Sequence, residues 1–249
     1  MNKVIVVASG KGGTGKSTVC VCLAVALVKQ QKKVLLIDCD CGMRGLDIML
    51  DVEESVLFDT SDAVSGNCNY SDAVYKSRHI DDLFMLAAPF DTENEVSPSV
   101  FAQLVESLKN DYDYIIIDSP AGIGSGFVTA AYPADMALIV ANAEPTSLRG
   151  VIKIRRKLEE LNKKNIRLVV NRFNRKKFNE LGFYKDLDQV IDVAQTQLIA
   201  LVPDDLHLSS VMQRGEAGVC WSACSNVFDC LALRIMGVDV PLAYKGQKI

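Results

Sequence analysis

A glycine-rich loop near the start of the chain constrains the fold more than any other feature of the sequence. It occupies residues 10–18 and reads Gly-Lys-Gly-Gly-Thr-Gly-Lys-Ser-Thr, with the apolar run 4–8 before it and the helix-like stretch 19–29 after it. Four residues meet the spacing G-x-x-x-x-G-K-[ST], namely Gly10, Gly15, Lys16 and Ser17. Such a loop surrounds a phosphate with backbone N–H groups, and the following helix N-terminus adds positive potential. The sequence therefore predicts a phosphate site in which Lys16 reaches the β- and γ-phosphates and Ser17 binds Mg²⁺.

The same loop contains a second lysine, Lys11. Its ammonium group is expected to lie too close to the phosphates to be without effect. It can contact the nucleotide of its own chain, or that of a second copy across a dimer interface. We expect the whole loop to bind the nucleotide: Gly10, Lys11, Gly12, Gly13, Thr14, Gly15, Lys16, Ser17 and Thr18.

Strand-like apolar runs alternate with helix-like stretches along the chain. The runs cover 3–8, 33–38, 83–88, 113–118, 136–141, 166–171 and 197–202. The helix-like stretches cover 16–30, 97–110, 146–162, 185–194, 205–214 and 219–236. This alternation predicts an α/β fold of three layers, whose mostly parallel sheet has about seven or eight strands and helices on both faces. Together with the glycine loop between the first strand and the first helix, it predicts a P-loop NTPase fold. With 249 residues and no repeat or linker, the chain is expected to be a single domain, 1–249, that ends in a tail over 237–249.

Polar residues follow several of the predicted strands, at the sheet edge where parallel sheets bind ligands. Asp118 ends an apolar strand, as expected for a carboxylate that holds Mg²⁺ through water. Asp38 and Asp40 follow another strand. Asp40 is the candidate for orienting the attacking water, and Asp38 for supporting the metal. The predicted metal set is therefore Ser17, Asp38 and Asp118, and the predicted catalytic set is Lys11, Lys16 and Asp40.

Several segments resemble those of the MinD/ParA family. The loop K-G-G-T-G-K-S-T resembles its deviant Walker A motif, residues 35–47 its switch I region and residues 118–123 its switch II region. The segment that begins Asn171-Arg172 resembles the one whose asparagine reads adenine. Residues Pro203, Asp204 and Asp205 resemble the loop that closes over the base. The resemblance extends from residue 3 to about residue 236.

The resemblance implies an enzyme, a Mg²⁺-dependent ATPase that forms a homodimer around two Mg·ATP with Lys11 contacting the nucleotide in trans. Of the two groups in the family, the chain is closer to the MinD-like proteins. The implied role is a dimerisation switch in cell-division site selection or in positioning another assembly. A regulatory protein is implied as the partner that stimulates hydrolysis or is recruited by the dimer.

The end of the chain departs from the family pattern. MinD proteins usually end in a short amphipathic helix that binds membrane, whereas Pro241 and Gly246 oppose a helix here. We therefore expect no autonomous membrane binding. No run of 18 apolar residues and no signal-peptide pattern occurs, which predicts a cytoplasmic protein that reaches a membrane only through a partner.

Charge and cysteine content leave alternatives open. Residues 153–177 contain eleven Lys/Arg and two Glu although the whole chain has a net charge of −4, which favours an acidic partner, an anionic membrane or nonspecific DNA. A ParA-like, DNA-associated partition ATPase is therefore one alternative. A second is a metal or iron–sulfur carrier that uses Cys39 and Cys41 at a dimer axis, and a third is a small-molecule ligase or kinase on the same fold. The eight cysteines otherwise read as structural thiols.

Overall fold

The computed structural model describes residues 3–41, 44–89, 96–217, 224–244 and 247–248. Gly42 and Met43 of the predicted switch I region, Cys220, and Gly246 of the tail lie outside the described residues.

Within the described residues, eight strands form one sheet. They are β1 (Lys3–Ala8), β2 (Val34–Asp38), β3 (Val74–Lys76), β4 (Leu83–Leu86), β5 (Tyr114–Asp118), β6 (Met136–Ala141), β7 (Ile166–Phe173) and β8 (Leu198–Pro203). The spatial order is β3-β4-β2-β5-β1-β6-β7-β8, and each described pair is parallel except β3 with β4. A separate antiparallel pair joins β9 (Ala243–Tyr244) to β10 (Gln247–Lys248). The carboxyl ends of β2, β5 and β1 therefore lie side by side.

The central strands are apolar throughout because both faces of the sheet are covered. In β1, Ile5 and Val7 face one hydrophobic core while Val4 and Val6 face the other. This is the two-residue alternation of a strand, here with an apolar residue at every position. Each such buried side chain contributes about 1.5–3 kcal/mol to stability. The sheet is thus a rigid platform for the loops at its carboxyl edge.

Helices cover both faces. They are α1 (Lys16–Lys29), α2 (Leu46–Met49), α3 (Thr60–Ser65), α4 (Pro98–Leu108), α5 (Ser125–Ala131), α6 (Pro145–Glu160), α7 (Arg175–Leu181), α8 (Leu187–Ala194), α9 (Leu206–Gln213) and α10 (Ser225–Ile235), with 3₁₀ turns at Glu53–Ser55 and Tyr70–Ala73. The apolar sides of α1, α9 and α10 fill one core, and those of α4, α5, α6 and α8 fill the other. The predicted three-layer α/β fold with a mostly parallel sheet is confirmed.

The structure also corrects the predicted elements. The seven predicted strands are present, but the sequence reading missed the edge strand β3 and the short helices α2, α3, α5 and α7. Strand β7 runs to Phe173, two residues beyond the predicted run 166–171, so Asn171 lies inside the strand and not at its end. Of the predicted helix 219–236, the described part is α10. Among the described residues, no helix combines the length and apolar character that a membrane span requires.

Candidate nucleotide-binding site

The glycine loop joins β1 to α1, and two of its glycines are required by their surroundings. Gly15, at the N-cap of α1, has φ +89°, and an added Cβ would lie 2.3 Å from Nδ2 of Asn171. A Cβ on Gly10 would lie 2.3 Å from the Cα of Gly150 in α6. By contrast, a Cβ on Gly12 would meet no heavy atom within 4 Å. The loop is therefore closely packed at both ends, against the Gly150 backbone and the Asn171 side chain, and is open in the middle.

Helix α1 begins with the two side chains predicted to bind phosphate and metal. Lys16 is buried, and its positive charge acts on the carboxylate of Asp118 at the end of β5. The Ser17 hydroxyl and the Cys20 thiol both favour the ionised form of that carboxylate and so lower its pKa. Its Oδ1 atom is buried and has no hydrogen-bond partner. Because buried polar atoms are nearly always paired, this oxygen marks a place for a further ligand.

Two acidic side chains lie next to each other at the carboxyl edge of the sheet. Asp38 of β2 and Asp118 of β5 are Cα partners in the parallel register. Burial, together with the charge of Asp118, raises the pKa of Asp38 to about 7. Burial likewise raises the pKa of Asp118 to about 6, against the opposing effects of Ser17 and Lys16. Two buried carboxyl groups that are hard to ionise together are typical of a site that a cation completes.

Asp38 also holds the loop that follows it. Its Oδ1 accepts a hydrogen bond from the backbone N–H of Asp40 at 2.9 Å, and its Oδ2 accepts one from that of Leu46 at 3.3 Å. A buried ion pair between Arg44 and Asp47, at 3.1 Å, stabilises the distal part of the loop. Asp40 is half-buried between these anchors. The loop that carries the predicted water-orienting residue is therefore tied to the acidic pair.

A cavity of about 580 Å³ opens beside the middle of the glycine loop. Its walls come from the glycine loop, from the start of α6, from the end of β7 with α7, and from the start of α9. They include Lys11, Gly12, Gly13, Thr14, Asn142, Glu144, Ser147, Arg172, Asn174, Lys177, Phe178, Asp204 and Leu206. Lys11 is exposed at the cavity. The volume lies in the range of small-molecule and cofactor pockets.

The residues predicted to contact the base lie at different positions. Asn171 is buried and its Nδ2 donates to the Thr14 carbonyl at 2.8 Å, which places it against the glycine loop and outside the cavity lining. Arg172 lines the cavity and donates to the Gly13 carbonyl at 3.1 Å. Asp204 also lines it, whereas Asp205 caps α9 by accepting from the N–H groups of His207 and Leu208. Pro203 ends β8. Contact of these residues with adenine stays a prediction.

Several cavity residues were missed from the sequence. Asn142, Glu144 and Ser147 follow β6, whose end lies at the same sheet edge as the acidic pair. The strand-end rule that selected Asp38 and Asp118 applies equally to β6 and could have found them. Lys177 belongs to the basic segment 153–177, but nothing in the sequence placed it or Phe178 at this cavity, because helix α7 was not predicted.

The residues present fit a Mg²⁺-bound nucleoside triphosphate. Gly12 and Gly13 leave open space where backbone N–H groups can surround phosphate. Lys16 supplies a buried positive charge. Asp118 offers the unpartnered Oδ1, and the Ser17 hydroxyl follows Lys16 at the start of α1. Oxygen donors of this kind are what Mg²⁺ prefers.

Cys39 and Cys41, which follow β2, line a second cavity of about 220 Å³ together with Asp38, Asp40 and Pro120. Burial and the charge of Asp38 raise the pKa values of Cys39 and Cys41. In the described parts of the chain, no group of three His, Cys, Asp or Glu side chains is arranged to hold a metal ion.

Much of the positive charge in 153–177 is engaged inside the molecule. Arg155, Lys157 and Lys176 form ion pairs with Glu159, Glu160 and Glu180. Lys163 donates to two backbone carbonyls, at 2.6 Å and 2.9 Å. The exposed basic residues include Lys153, Arg156, Lys164, Arg175 and Lys177.

Comparisons with known proteins agree with this geometry. A family model described as an AAA domain matches residues 2–170. The septum site-determining protein MinD of Synechocystis is 36% identical over 245 residues, covering 97% of this chain and 92% of that protein. A chain in the MinC:MinD cell division complex of Aquifex aeolicus is 35% identical with a TM-score of 0.88, covering 97% of this chain and 99% of that one. MinD of Pyrococcus horikoshii, solved with Mg-ADP, is 29% identical with a TM-score of 0.81, covering 94% and 96%.

Proposed function

Because this chain belongs to the MinD family of septum site-determining proteins, we propose that it is an ATPase whose Mg·ATP-bound form dimerises and acts in cell-division site selection. The observation that carries the proposal is the meeting of three groups at one sheet edge. These are the open glycine loop, the buried ammonium of Lys16, and the acidic pair Asp38 and Asp118 with its unpartnered oxygen.

The phosphates are bound by the loop backbone and by Lys16, which neutralises their charge. Ser17 and Asp118 hold Mg²⁺, and Asp38 supports the metal from the neighbouring strand. When bound, Mg²⁺ supplies charge neutralisation at the transferring phosphoryl group. The base enters the cavity beside the loop, where Arg172 and Asp204 lie on its walls. The MinD of Pyrococcus horikoshii was solved with Mg-ADP, which supports Mg²⁺ and an adenine nucleotide as the molecules bound at this site.

Asp40 orients the attacking water. Phosphoryl transfer depends mainly on positioning and on charge stabilisation, so a strongly basic side chain is not required. Asp40 is fixed by the hydrogen bond between its own N–H and Asp38, which couples its position to the acidic pair. Occupancy of the metal site and the place of the water-orienting residue are thereby linked.

Lys11 contacts the nucleotide of a second copy. It is exposed where the cavity opens, whereas Lys16 in the same loop is buried and its charge acts on Asp118. One lysine thus serves the resident nucleotide and the other is available to a partner. A dimer formed in this way exists only while both nucleotides are triphosphates, and hydrolysis leads to its dissociation.

Size-exclusion chromatography with light scattering tests the switch. Asp40→Ala in excess Mg·ATP should elute as a dimer because hydrolysis is blocked, and as a monomer without nucleotide. The double variant Lys11→Ala/Asp40→Ala should bind ATP and remain monomeric. An Asp40→Ala protein that binds Mg·ATP yet stays monomeric would contradict the proposal.

We further propose that the dimer binds a regulatory protein. The similar Aquifex aeolicus chain was solved in a MinC:MinD complex, which supports a partner of this kind. The test is co-elution of the trapped Asp40→Ala dimer with the MinC of the same organism. The nucleotide-free monomer is the control, and equal binding to both forms would separate partner binding from the ATP state.

DNA is the second candidate for a dimer-dependent ligand. The exposed basic residues of 153–177, among them Lys153, Arg156 and Arg175, favour it. Co-sedimentation of the trapped dimer with nonspecific duplex DNA should then require ATP and weaken steeply with salt. Anionic and neutral liposomes provide the parallel assay for a membrane surface.

A further inference from the structure

The last strand of the sheet has one side that its neighbours do not cover. Among the described strands of this sheet, β8 stands at the end of the order and pairs with β7 alone. Its sequence, Leu-Ile-Ala-Leu-Val-Pro, contains no charged residue. An apolar edge strand can add a strand from another chain, and natural proteins protect such edges with charges, bulges or a covering segment. The protection of β8 must therefore come partly from outside its own sequence.

The free side of β8 is bound by an arginine of α10. Consecutive pairs with β7 use Leu198 and then Ala200, so Ile199 is left without a partner on that strand, as in a β-bulge. The Ile199 carbonyl accepts a hydrogen bond from Nη1 of Arg234 at 2.6 Å. Nε of the same side chain donates to the Val240 carbonyl at 3.0 Å. One guanidinium group therefore links the edge strand to the segment that follows α10.

That segment passes around the edge of the sheet. Helix α10 ends in a Schellman motif: the N–H of Gly237, which has φ +91°, donates to the Arg234 carbonyl at 3.0 Å. The N–H of Val238 donates to the Leu233 carbonyl at 2.9 Å. Helix α10 packs into the core on one face of the sheet, whereas Leu242 packs against the core on the other face. Strand β9 lies against both β8 and α10.

We propose that residues 237–244 form a strap, held by Arg234, that closes the outer edge of β8 against strand addition by a second copy of this chain. Every copy carries the same apolar edge, and antiparallel pairing of two β8 strands about a two-fold axis would make a self-complementary contact. The strap thereby keeps edge association apart from ATP-dependent dimerisation. It does not depend on nucleotide chemistry, so the inference goes beyond the proposed function.

The experiment uses Arg234→Met in the full-length chain, which keeps the aliphatic length of the side chain and removes both donors. All measurements are made in EDTA without nucleotide, so that no ATP-dependent dimer forms. In hydrogen-exchange mass spectrometry, peptides covering 237–244 should exchange at least about tenfold faster than in wild type, because two charge-assisted hydrogen bonds are lost.

Self-association is measured by size-exclusion chromatography with light scattering over a series of protein concentrations. Wild type should remain a monomer, whereas the mass of Arg234→Met should rise with concentration to about twice the monomer mass or more. Adding Lys11→Ala should leave this association unchanged, because the edge of β8 and not the nucleotide site carries it.

Lys3→Met is the matched control. Nζ of Lys3 donates to the Ile235 carbonyl at 2.7 Å, so this variant loses a donor at the same end of α10 and keeps both Arg234 contacts. It should exchange and elute as wild type does. Leu242→Ser removes the apolar contact of the strap and leaves α10 intact, so it should also self-associate. It replaces Arg234→Met as the test if thermal melting shows that Arg234→Met does not fold.

Four results would overturn the proposal. Wild-type exchange of 237–244 in Arg234→Met would mean that the arginine does not hold the strap. A strap that exchanges faster in a protein that stays monomeric would remove the guarding role. Equal association of Lys3→Met would assign the effect to general loss of stability, and association of wild type in EDTA would show an edge that is not closed. None of these results bears on the proposed function, which depends on the effect of ATP.

Discussion

Replacing Gly15 by alanine should destabilise the nucleotide-free protein strongly. The residue has φ +89°, and the new Cβ would lie 2.3 Å from Nδ2 of Asn171, which now donates to Thr14 at 2.8 Å. The left-handed backbone costs about 1–2 kcal/mol for a residue with a Cβ, and loss of the buried hydrogen bond adds about 0.5–1.5 kcal/mol. The sum is about 1.5–3.5 kcal/mol, which for a chain of this size lowers Tm by about 3–14 °C.

Two neighbouring glycines provide a graded comparison. Gly13 has φ +74° but open space around its Cβ position, so Gly13→Ala should show only the backbone term of about 1–2 kcal/mol. Gly12 has open space and is not among the positive-φ glycines, so Gly12→Ala should change stability by less than about 0.5 kcal/mol. Tm and the urea midpoint are measured without nucleotide, so that phosphate binding does not enter.

The expected order of destabilisation is Gly15→Ala, then Gly13→Ala, then Gly12→Ala. Equal effects at the three positions would refute the reasoning, because the three glycines belong to the same loop and differ in φ and in the space around the Cβ position. A large effect at Gly12 alone would do the same, because nothing in its surroundings opposes a methyl group.

Two further substitutions test the charged groups. Lys16→Ala should abolish measurable ATP binding in calorimetry because the phosphates lose their buried cation, while the fold persists; ATP binding near the wild-type affinity would contradict the assignment. Arg44→Ala leaves Asp47 buried without its ion-pair partner and should lower the free energy of unfolding by about 3 kcal/mol or more. In urea unfolding experiments, the double variant Arg44→Ala/Asp47→Ala should be less destabilised than Arg44→Ala. A double variant less stable than the single one would rule out an uncompensated buried charge as the cause.

The sheet could be read from the sequence because its strands are unusually uniform. A run such as Tyr114–Asp118 is apolar up to its last residue, and only a strand covered on both faces is built that way. Strand β3 was not predicted because its three residues, Val74–Lys76, lie at an edge of the sheet and are not fully buried. Helix α5 was not predicted because its N-terminal region, Gly124 to Gly126, has the composition of a turn.

Site residues were predictable in identity but not in orientation. The rule that ligands bind at strand ends selected Asp38 and Asp118, which the register places side by side. Asn171 was predicted at the end of the run 166–171, but β7 continues to Phe173 with an irregular register to β8, and the Asn171 side chain donates to the Thr14 carbonyl. The orientation of this side chain depends on packing between segments that are distant in the sequence, so it cannot be predicted from the local sequence.

The acidic pair gives the protein a stability that depends on pH and on metal. The folded-state pKa values of Asp38 and Asp118, about 7 and about 6, lie above the ordinary value of 3.8. Between about pH 4 and pH 7 the folded state therefore binds more protons than the unfolded state, and the free energy of unfolding falls as pH rises. For Asp118 the full effect is at most about 3 kcal/mol.

Mg²⁺ requires ionised carboxylates, so its stabilising effect should run in the opposite direction. The increase in Tm produced by Mg²⁺ with a non-hydrolysable ATP analogue should be larger at pH 8 than at pH 6, and the analogue in EDTA should show no such difference. Without nucleotide, Asp118→Asn should be more stable than wild type at pH 8 and lose that advantage near pH 5, because the wild-type carboxyl is then protonated in the folded state. If the variant gains equally at both pH values, packing and not charge is responsible, and the acidic pair is not what the cation neutralises.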